Sequence, residues 1–433
     1  MTRIAISPVT AVTCNDNFDV IDNAAIHIED GRITYIGPAS TRPAFVADET
    51  IAGEHFVAIP GLINTHTHTA MTLLRGYADD MALEPWLQTR IWPFEAHLTG
   101  DDVYWGTMLA ICEMLRGGTT CFADMYFFYH DGVRAMLESG IRACPGGVLL
   151  GFLPEPQKRI ANAIAFAREY SDAGNGLIKP TLAPHSLYTC NREQWEAMIK
   201  GARDNDLLLT THASETRREV ADVTAQWGQS PIESLKQIGA LDGPLLAAHC
   251  VHVDERDLEI MQSSDFRVAH NPTSNMKLAS GFAPIEKFLQ AGITVGLGPD
   301  GTASNNNLDM WEEMHLAALL HKGTTGDPTT VSAQQALLMA TREGARCLNL
   351  HHEVGTLEVG KKADIVLVDF EKPHLTPRHN VVSHLVYAAN SADVDTVLVD
   401  GRVLVRDGQW TQLDAKAIAA QASKCAERLA AQA

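Results

Sequence analysis

Ile59-Pro60-Gly61-Leu62-Ile63-Asn64-Thr65-His66-Thr67-His68 is the stretch on which the fold turns. It grows out of the apolar run 56–59 and ends in two histidines one residue apart. In an extended chain, side chains at i and i+2 point to the same side. His66 and His68 therefore aim two imidazoles at one point, which is half of a metal site. A solvated strand face would alternate polar and apolar residues. The run before the histidines does not alternate, as in a strand covered on both faces. The remaining ligands must come from elsewhere in the chain.

Short apolar runs recur downstream, at 119–123, 141–149, 178–182, 207–211, 245–248, 266–269 and 293–297. Helix-like stretches such as 103–116, 192–203 and 253–263 lie between them. Counting the first strand, this makes eight strand–helix units. Such alternation predicts a parallel sheet, and eight units in about 300 residues predict an α/β fold of the (β/α)8 TIM-like barrel type over 59–358. A doubly wound open sheet is the alternative, but no Gly-rich phosphate fingerprint follows the first strand.

Both ends of the chain read as β structure. Asp30-Gly31 and Asp400-Gly401 each sit between two strand-like runs, a strong signal for a two-residue hairpin. Residues 1–58 and 359–433 are expected to form one small β domain from both termini, closed by an Ala-rich helix over 414–433. His27 lies alone in the first hairpin and reads as a surface strand histidine.

The chain has 433 residues and a formal net charge of −19. That charge argues against nucleic acid as a partner, because phosphate binding needs a basic surface. No apolar run approaches the ~20 residues that span a bilayer, and residues 1–8 lack the features of a signal peptide. Eight scattered cysteines with no C-x-x-C spacing suit a reduced, cytoplasmic setting. An acidic two-domain barrel is also compatible with a homo-oligomer.

In barrels of this type the active site lies at the C-terminal ends of the strands. Here those ends carry His66 and His68 (first), His185 (fourth), His212 with Glu215 (fifth), His249 and His252 (sixth), His270 (seventh) and Asp300 (eighth). Scattered histidines would not collect at five strand ends. His66, His68, His212 and Asp300 would hold one divalent ion, zinc by preference, with iron or manganese as alternatives. Glu215 and His249 add two titratable groups at the same rim, which points to chemistry rather than a closed structural site. His252 and His270 read as structural histidines.

These motifs, in this order and over essentially the whole chain, resemble the amidohydrolase superfamily. The likeness is to its mononuclear-metal branch, which includes cytosine deaminase, guanine deaminase and the triazine chlorohydrolases. Gly360-Lys361-Lys362-Ala363-Asp364 also resembles the family's lead into its C-terminal β strands. Binuclear members carry a carboxylated lysine at the fourth strand end, where this chain has Ala183-Pro184-His185. The resemblance therefore implies one metal.

Within the superfamily, Met71-Thr72-Leu73-Leu74-Arg75-Gly76, Glu84-Pro85-Trp86-Leu87, Ile91-Trp92-Pro93-Phe94-Glu95, Asp124-Met125-Tyr126, Pro184-His185-Ser186 and Ser304-Asn305-Asn306 resemble deaminases of adenosine derivatives. The resemblance implies hydrolytic deamination at C6 of a purine nucleoside. Asp300 would take a proton from water, Glu215 would carry one to N1, and His249 would steady the nucleophile. It also implies that Glu95 accepts from the ribose hydroxyls, that Trp86 covers the substrate, and that His185 and Ser304 line the pocket. A carboxylate can indeed take two donors from a diol, and an indole offers a large apolar face. Packing in a long barrel loop is an equal reading for Trp86 or Trp92 alone.

Relatives that take S-adenosylhomocysteine place an arginine shortly after the third strand. This chain has Gly146-Gly147 there, with Arg159 as a substitute from the next loop. Without a guanidinium the amino-acid carboxylate loses a strong contact, so 5′-methylthioadenosine is the expected substrate. The rivals are a guanine or pterin deaminase, a triazine chlorohydrolase, and a non-catalytic scaffold. The last would have lost ligands that this chain retains.

Overall fold

A computed structural model describes residues 3–433. Eight parallel strands run in sequential order: Leu62–Thr67, Thr119–Asp124, Arg142–Leu149, Thr181–Pro184, Leu209–Ala213, Leu245–His249, Phe266–His270 and Thr294–Leu297. First and last strands meet through side chains, with Thr65 Oγ1 donating to the Leu297 carbonyl at 2.9 Å and Thr67 Oγ1 to the Asp300 carbonyl at 2.7 Å. The barrel interior is filled by small and branched residues such as Ile63, Cys121, Ala123, Cys144, Leu246, Ala248 and Ala269. Helices form the outer layer. Gly100–Arg116 and Arg192–Asp204 both begin with reciprocal capping boxes, at Thr99 with Asp102 and at Asn191 with Gln194.

The opening stretch is two strands, not one. Phe56–Pro60 pairs antiparallel with Ile365–Asp369 in the second sheet, and Leu62–Thr67 starts the barrel. The chain crosses over at Gly61, where an added Cβ would lie 2.0 Å from Thr120 Oγ1. Only glycine allows so close an approach. The fourth strand also starts later than its apolar run, because Pro180 precedes Thr181 and cannot donate to a ladder.

The second sheet has nine strands, and both termini build it: the C-terminal strands lie together on one side, the N-terminal strands on the other, and they meet where Ile365–Asp369 pairs with Phe56–Pro60. Asp30 and Gly31 (φ +50° and +76°), like Asp400 and Gly401 (φ +49° and +72°), adopt the left-handed pair of a type I′ turn. The two turns pack on each other, with Gly401 backed directly against Gly31. Asp364 locks sheet to barrel: Arg142, on the third barrel strand, donates to it twice, at 2.8 and 3.0 Å, and Asp400 N donates at 2.8 Å. His27 is a correction. It is buried rather than exposed, and its ring stacks on Phe45 at 4.2 Å. The segment after the first hairpin folds back over a face that the local sequence marks as open. Ala415–Ala430 is the closing helix.

Candidate metal centre and substrate pocket

His66 and His212 lie inside their strands, His249 ends its strand, and His68 and Asp300 follow theirs. The backbone turns sharply at three of these ends. Ser214, His249, Cys250 and Asp300 have φ of +54°, +73°, +47° and +63°. Left-handed conformations cost a non-glycine residue about 1–2 kcal/mol. Here they swing side chains from the barrel wall into its mouth, the strain expected of a functional site.

The imidazoles are oriented from behind. His68 Nδ1 donates to the Met125 carbonyl at 2.6 Å, and His212 Nδ1 donates to the His185 carbonyl at 2.9 Å. Their bare Nε2 atoms then face each other at 3.4 Å. Asp300 Oδ1 lies 3.4 Å from His66 Nε2 and 3.3 Å from His68 Nε2. Metal–nitrogen bonds of about 2.0–2.1 Å in a tetrahedral site put neighbouring donors about 3.3 Å apart. His66 Nε2 and Asp300 Oδ1 are buried and have no hydrogen-bond partner. Lone pairs converging at this spacing are what one cation reconciles, so the cluster could hold a divalent metal. Burial alone would raise the Asp300 carboxyl, but its contacts with His66 and His68 hold it well below the usual range.

Glu215 and His249 stand beside this cluster, with His249 Nε2 3.8 Å from Glu215 Oε2. Burial pushes the Glu215 carboxyl up, which favours a group that carries a proton. Glu219, which the sequence reading missed, accepts from the backbone N–H of Ser214 (3.0 Å) and of Glu215 (2.6 Å) and so fixes that turn. Its signal is one helical turn after Glu215. His252 Nε2 bonds the Ser280 carbonyl, and His270 pairs with His321 at 3.0 Å; neither reaches the cluster.

A cavity of about 70 Å³ sits over the donors and is lined by His68, Trp86, Glu95, Tyr126, His185 and Ser304 among others. Ser304 turns its hydroxyl to Asp300 Oδ2 at 3.0 Å. The His185 ring lies on His212, centroids 4.5 Å apart. Trp86 is buried in the cover, its Nε1 donating to the Ala78 carbonyl at 2.9 Å. The cover passes from Leu83–Trp86 through a π turn at Leu87–Ile91 into Trp92–Glu95. Pro93 lacks the N–H that unbroken α-helical pairing would require. Glu95 accepts from Tyr126 Oη at 2.7 Å, and burial pushes its carboxyl up to about 7.

Trp92, Glu95, Phe127, Val148 and Leu150 also border a second cavity of about 600 Å³, lined further by Phe152, Arg159 and Phe166. Arg159 reaches this wall from helix Pro156–Glu169. Gly146 and Gly147 lie inside the third strand, Arg142–Leu149, rather than after it, and packing explains them. A Cβ on either would press to within about 3 Å of Ala183 or Ala163, so no arginine fits there.

Residues 57–404 match the model of the amidohydrolase family. The chain is 48% identical over 427 residues to a 5-methylthioadenosine/S-adenosylhomocysteine deaminase of Moorella thermoacetica, covering 98% of this chain and 99% of the relative. It superposes on a zinc-bound adenosine deaminase from Xanthomonas campestris with a TM-score of 0.96 at 35% identity, covering 99% of each. An atrazine chlorohydrolase from Arthrobacter aurescens, complexed with zinc, gives 0.91 at 25% identity, covering 98% of this chain and 100% of that one. Strand-end donors, barrel and terminal sheet thus agree with a match that spans most of the sequence, and the chain belongs to the amidohydrolase family.

Proposed function

We propose that the protein hydrolyses the 6-amino group of an adenosine derivative, with 5′-methylthioadenosine the favoured substrate, giving 5′-methylthioinosine and ammonia. One observation carries this reading. Glu95 is a half-buried carboxylate on the wall shared by the metal-side cavity and the 600 Å³ cavity. That is where a ribose diol would sit, between a base over the metal and a 5′ substituent beyond. Tyr126 occupies one carboxylate oxygen, and acceptor capacity remains for the hydroxyls. The larger cavity is within the size range of ligand pockets, and its aromatic lining suits a thioether. The deaminases of adenosine derivatives among the relatives support the same substrate class.

His66, His68, His212 and Asp300 would hold the ion, which we take to be zinc from the His/carboxylate donors and from the zinc named in the related structures. When bound, zinc lowers the pKa of a water to about 7 and makes a nucleophile available at neutral pH. Trp86 covers the base, and His185 lines the pocket beside it. Glu215 gives its proton to N1 while the water oxygen adds to C6 and Asp300 takes one proton of that water. His249, with its proton on Nδ1, turns Nε2 to the incoming oxygen and accepts a hydrogen bond from its remaining O–H. Asp300 then passes its proton to the amine, the C6–N bond breaks, and ammonia leaves. Glu215 recovers a proton from the C6 hydroxyl as C6=O forms. Ser304 serves Asp300 in this scheme. The eight unpaired cysteines, seven of them buried, support a reducing compartment such as the cytoplasm. No helix among the described residues is long and apolar enough to cross a membrane.

Arg159 favours a second reading. It lines the far part of the 600 Å³ cavity, where a substrate with an amino-acid tail would place its carboxylate. The test is a panel of 5′-methylthioadenosine, S-adenosylhomocysteine, adenosine, guanine and a chlorotriazine, followed by loss of adenine absorbance and release of ammonia. Highest kcat/KM on methylthioadenosine is expected. Preference for S-adenosylhomocysteine, lost in Arg159→Ala, would establish the second reading instead. Turnover of guanine or the triazine alone would sink both.

A further inference from the structure

Asp300, His249 and Glu215 come from three different strand ends, yet one short segment touches all of them. After strand Phe266–His270 the chain makes helix Pro272–Lys277 and folds back to Ser280. Ser274 Oγ donates to Asp300 Oδ2 at 2.7 Å. Asn275 Oδ1 accepts from His249 Nδ1 at 2.9 Å. Ser280 Oγ donates to Glu215 Oε1 at 3.4 Å. All three side chains are buried, and the Ser280 N–H closes the turn on the Asn275 carbonyl at 2.9 Å.

The segment is itself anchored. Asn271 Nδ2 donates to the Gly298 carbonyl at 2.7 Å, and Thr273 N donates to buried Glu313 at 3.3 Å. Glu313 also accepts from Asn305 Nδ2 at 2.8 Å, so it ties the loops after the seventh and eighth strands together. Lys277 pairs with Asp79 at 2.6 Å and ties the segment to the chain beneath Trp86.

The chemistry of each contact is specific. A donor on Oδ2 stops rotation of the Asp300 carboxylate and leaves Oδ1 for the cation. An acceptor at Nδ1 fixes the His249 tautomer and turns Nε2 toward the reacting centre. Asn275 uses only its oxygen here, since Nδ2 is buried with no partner.

We propose that Ser274, Asn275 and Ser280 are positioning residues, and that this one segment aligns the proton carriers Asp300 and Glu215 together with His249. The proposal rests on the functional reading above for the roles of those groups.

Asn275→Leu removes the acceptor at similar volume, and Asn275→Asp keeps it. The expected result is a fall in kcat of about 10–100-fold for Asn275→Leu and Ser274→Ala, with KM within about twofold. Asn275→Asp should restore most of that loss, and Ser280→Ala should have the smallest effect because its contact is the longest. Zinc content and Tm are measured on every variant. Wild-type kcat in Asn275→Leu would overturn the proposal. So would equal losses in the Leu and Asp variants that follow lost Tm or lost zinc, since that pattern marks a folding role. A substrate-free readout separates the two readings. In protein labelled with 15N-histidine, the resonances missing from His249→Gln report the His249 tautomer. Nδ1–H in wild type and Asn275→Asp, with a mixed population in Asn275→Leu, would uphold the clamp even if no adenine nucleoside were turned over. An unchanged tautomer in Asn275→Leu would overturn it.

Discussion

The metal side of the pocket and its ribose side are built from different kinds of chain. On the metal side, His66, His68, His212 and Asp300 project from barrel strand ends, and the outer atoms of His68, His212 and Asp300 are held by backbone carbonyls or hydroxyls within about 3 Å. On the ribose side, Trp86 and Glu95 ride on a cover of one-turn helices joined by a π turn, and Arg159 comes from a helix on the barrel's outside. The first half is built on barrel strands and, in the proposed function, carries the reaction. The second is assembled from one-turn helices and loops and, in the same proposal, carries the choice of substrate. A change in the first should therefore act on metal and kcat, and a change in the second on KM.

The largest effect should follow from removing a ligand. His66→Ala is expected to lose bound metal and all turnover, read by metal analysis alongside ammonia release. Metal retained at one per chain would break the assignment of the cluster. Next comes Glu215→Gln, which should keep its metal and lose about 10²–10⁴ in kcat, the usual worth of a positioned acid–base group. Arg142→Met lies outside both halves and serves as the contrast. It strands the Asp364 carboxylate in a buried site and should cost about 3–5 kcal/mol of stability in denaturant unfolding, with kcat preserved wherever the chain stays folded.

The smallest effect sharpens the ribose half. Glu95→Gln should lower kcat/KM on the nucleoside by about 10–100-fold, mostly through KM, since a hydrogen bond to a charged group is worth about 1.5–3 kcal/mol. Its pH dependence has a definite sign. Burial raises the Glu95 carboxyl to about 7, so in the free protein it is neutral below that pH and a full acceptor above it. KM for a ribose-bearing substrate should rise as pH falls through about 7, and Glu95→Gln should flatten that dependence. A KM slope that survives in the glutamine variant would place the titrating group elsewhere.

Much of the barrel is legible along the chain because the relevant signals are local. Period-two geometry puts His66 and His68 on one side, and polar residues directly after apolar runs mark the rim. The Asp-Gly pairs specify their turns because those residues tolerate positive φ. Local signals fail where a distant segment supplies the environment. His27 sits in an ordinary hairpin and is buried only because Phe45 folds across it. Arg142 reads as a charged residue near a substrate loop, yet its partner is 222 residues away in the other sheet. Nothing near Gly146-Gly147 announces that strand and helix leave no room for an arginine.

By itself the sequence determined the identity and order of the candidate donors, the eightfold strand–helix alternation, the two hairpins and the acidic surface, because each depends on spacing within a few residues. Only the tertiary structure decided which oxygen of Asp300 faces the histidine donors, that the segment from Ser274 to Ser280 touches Asp300, His249 and Glu215, and that Glu95 divides a small cavity over the donors from a large one beyond. Those facts arise when barrel closure brings together atoms far apart in the chain, and local periodicity carries no information about such distances.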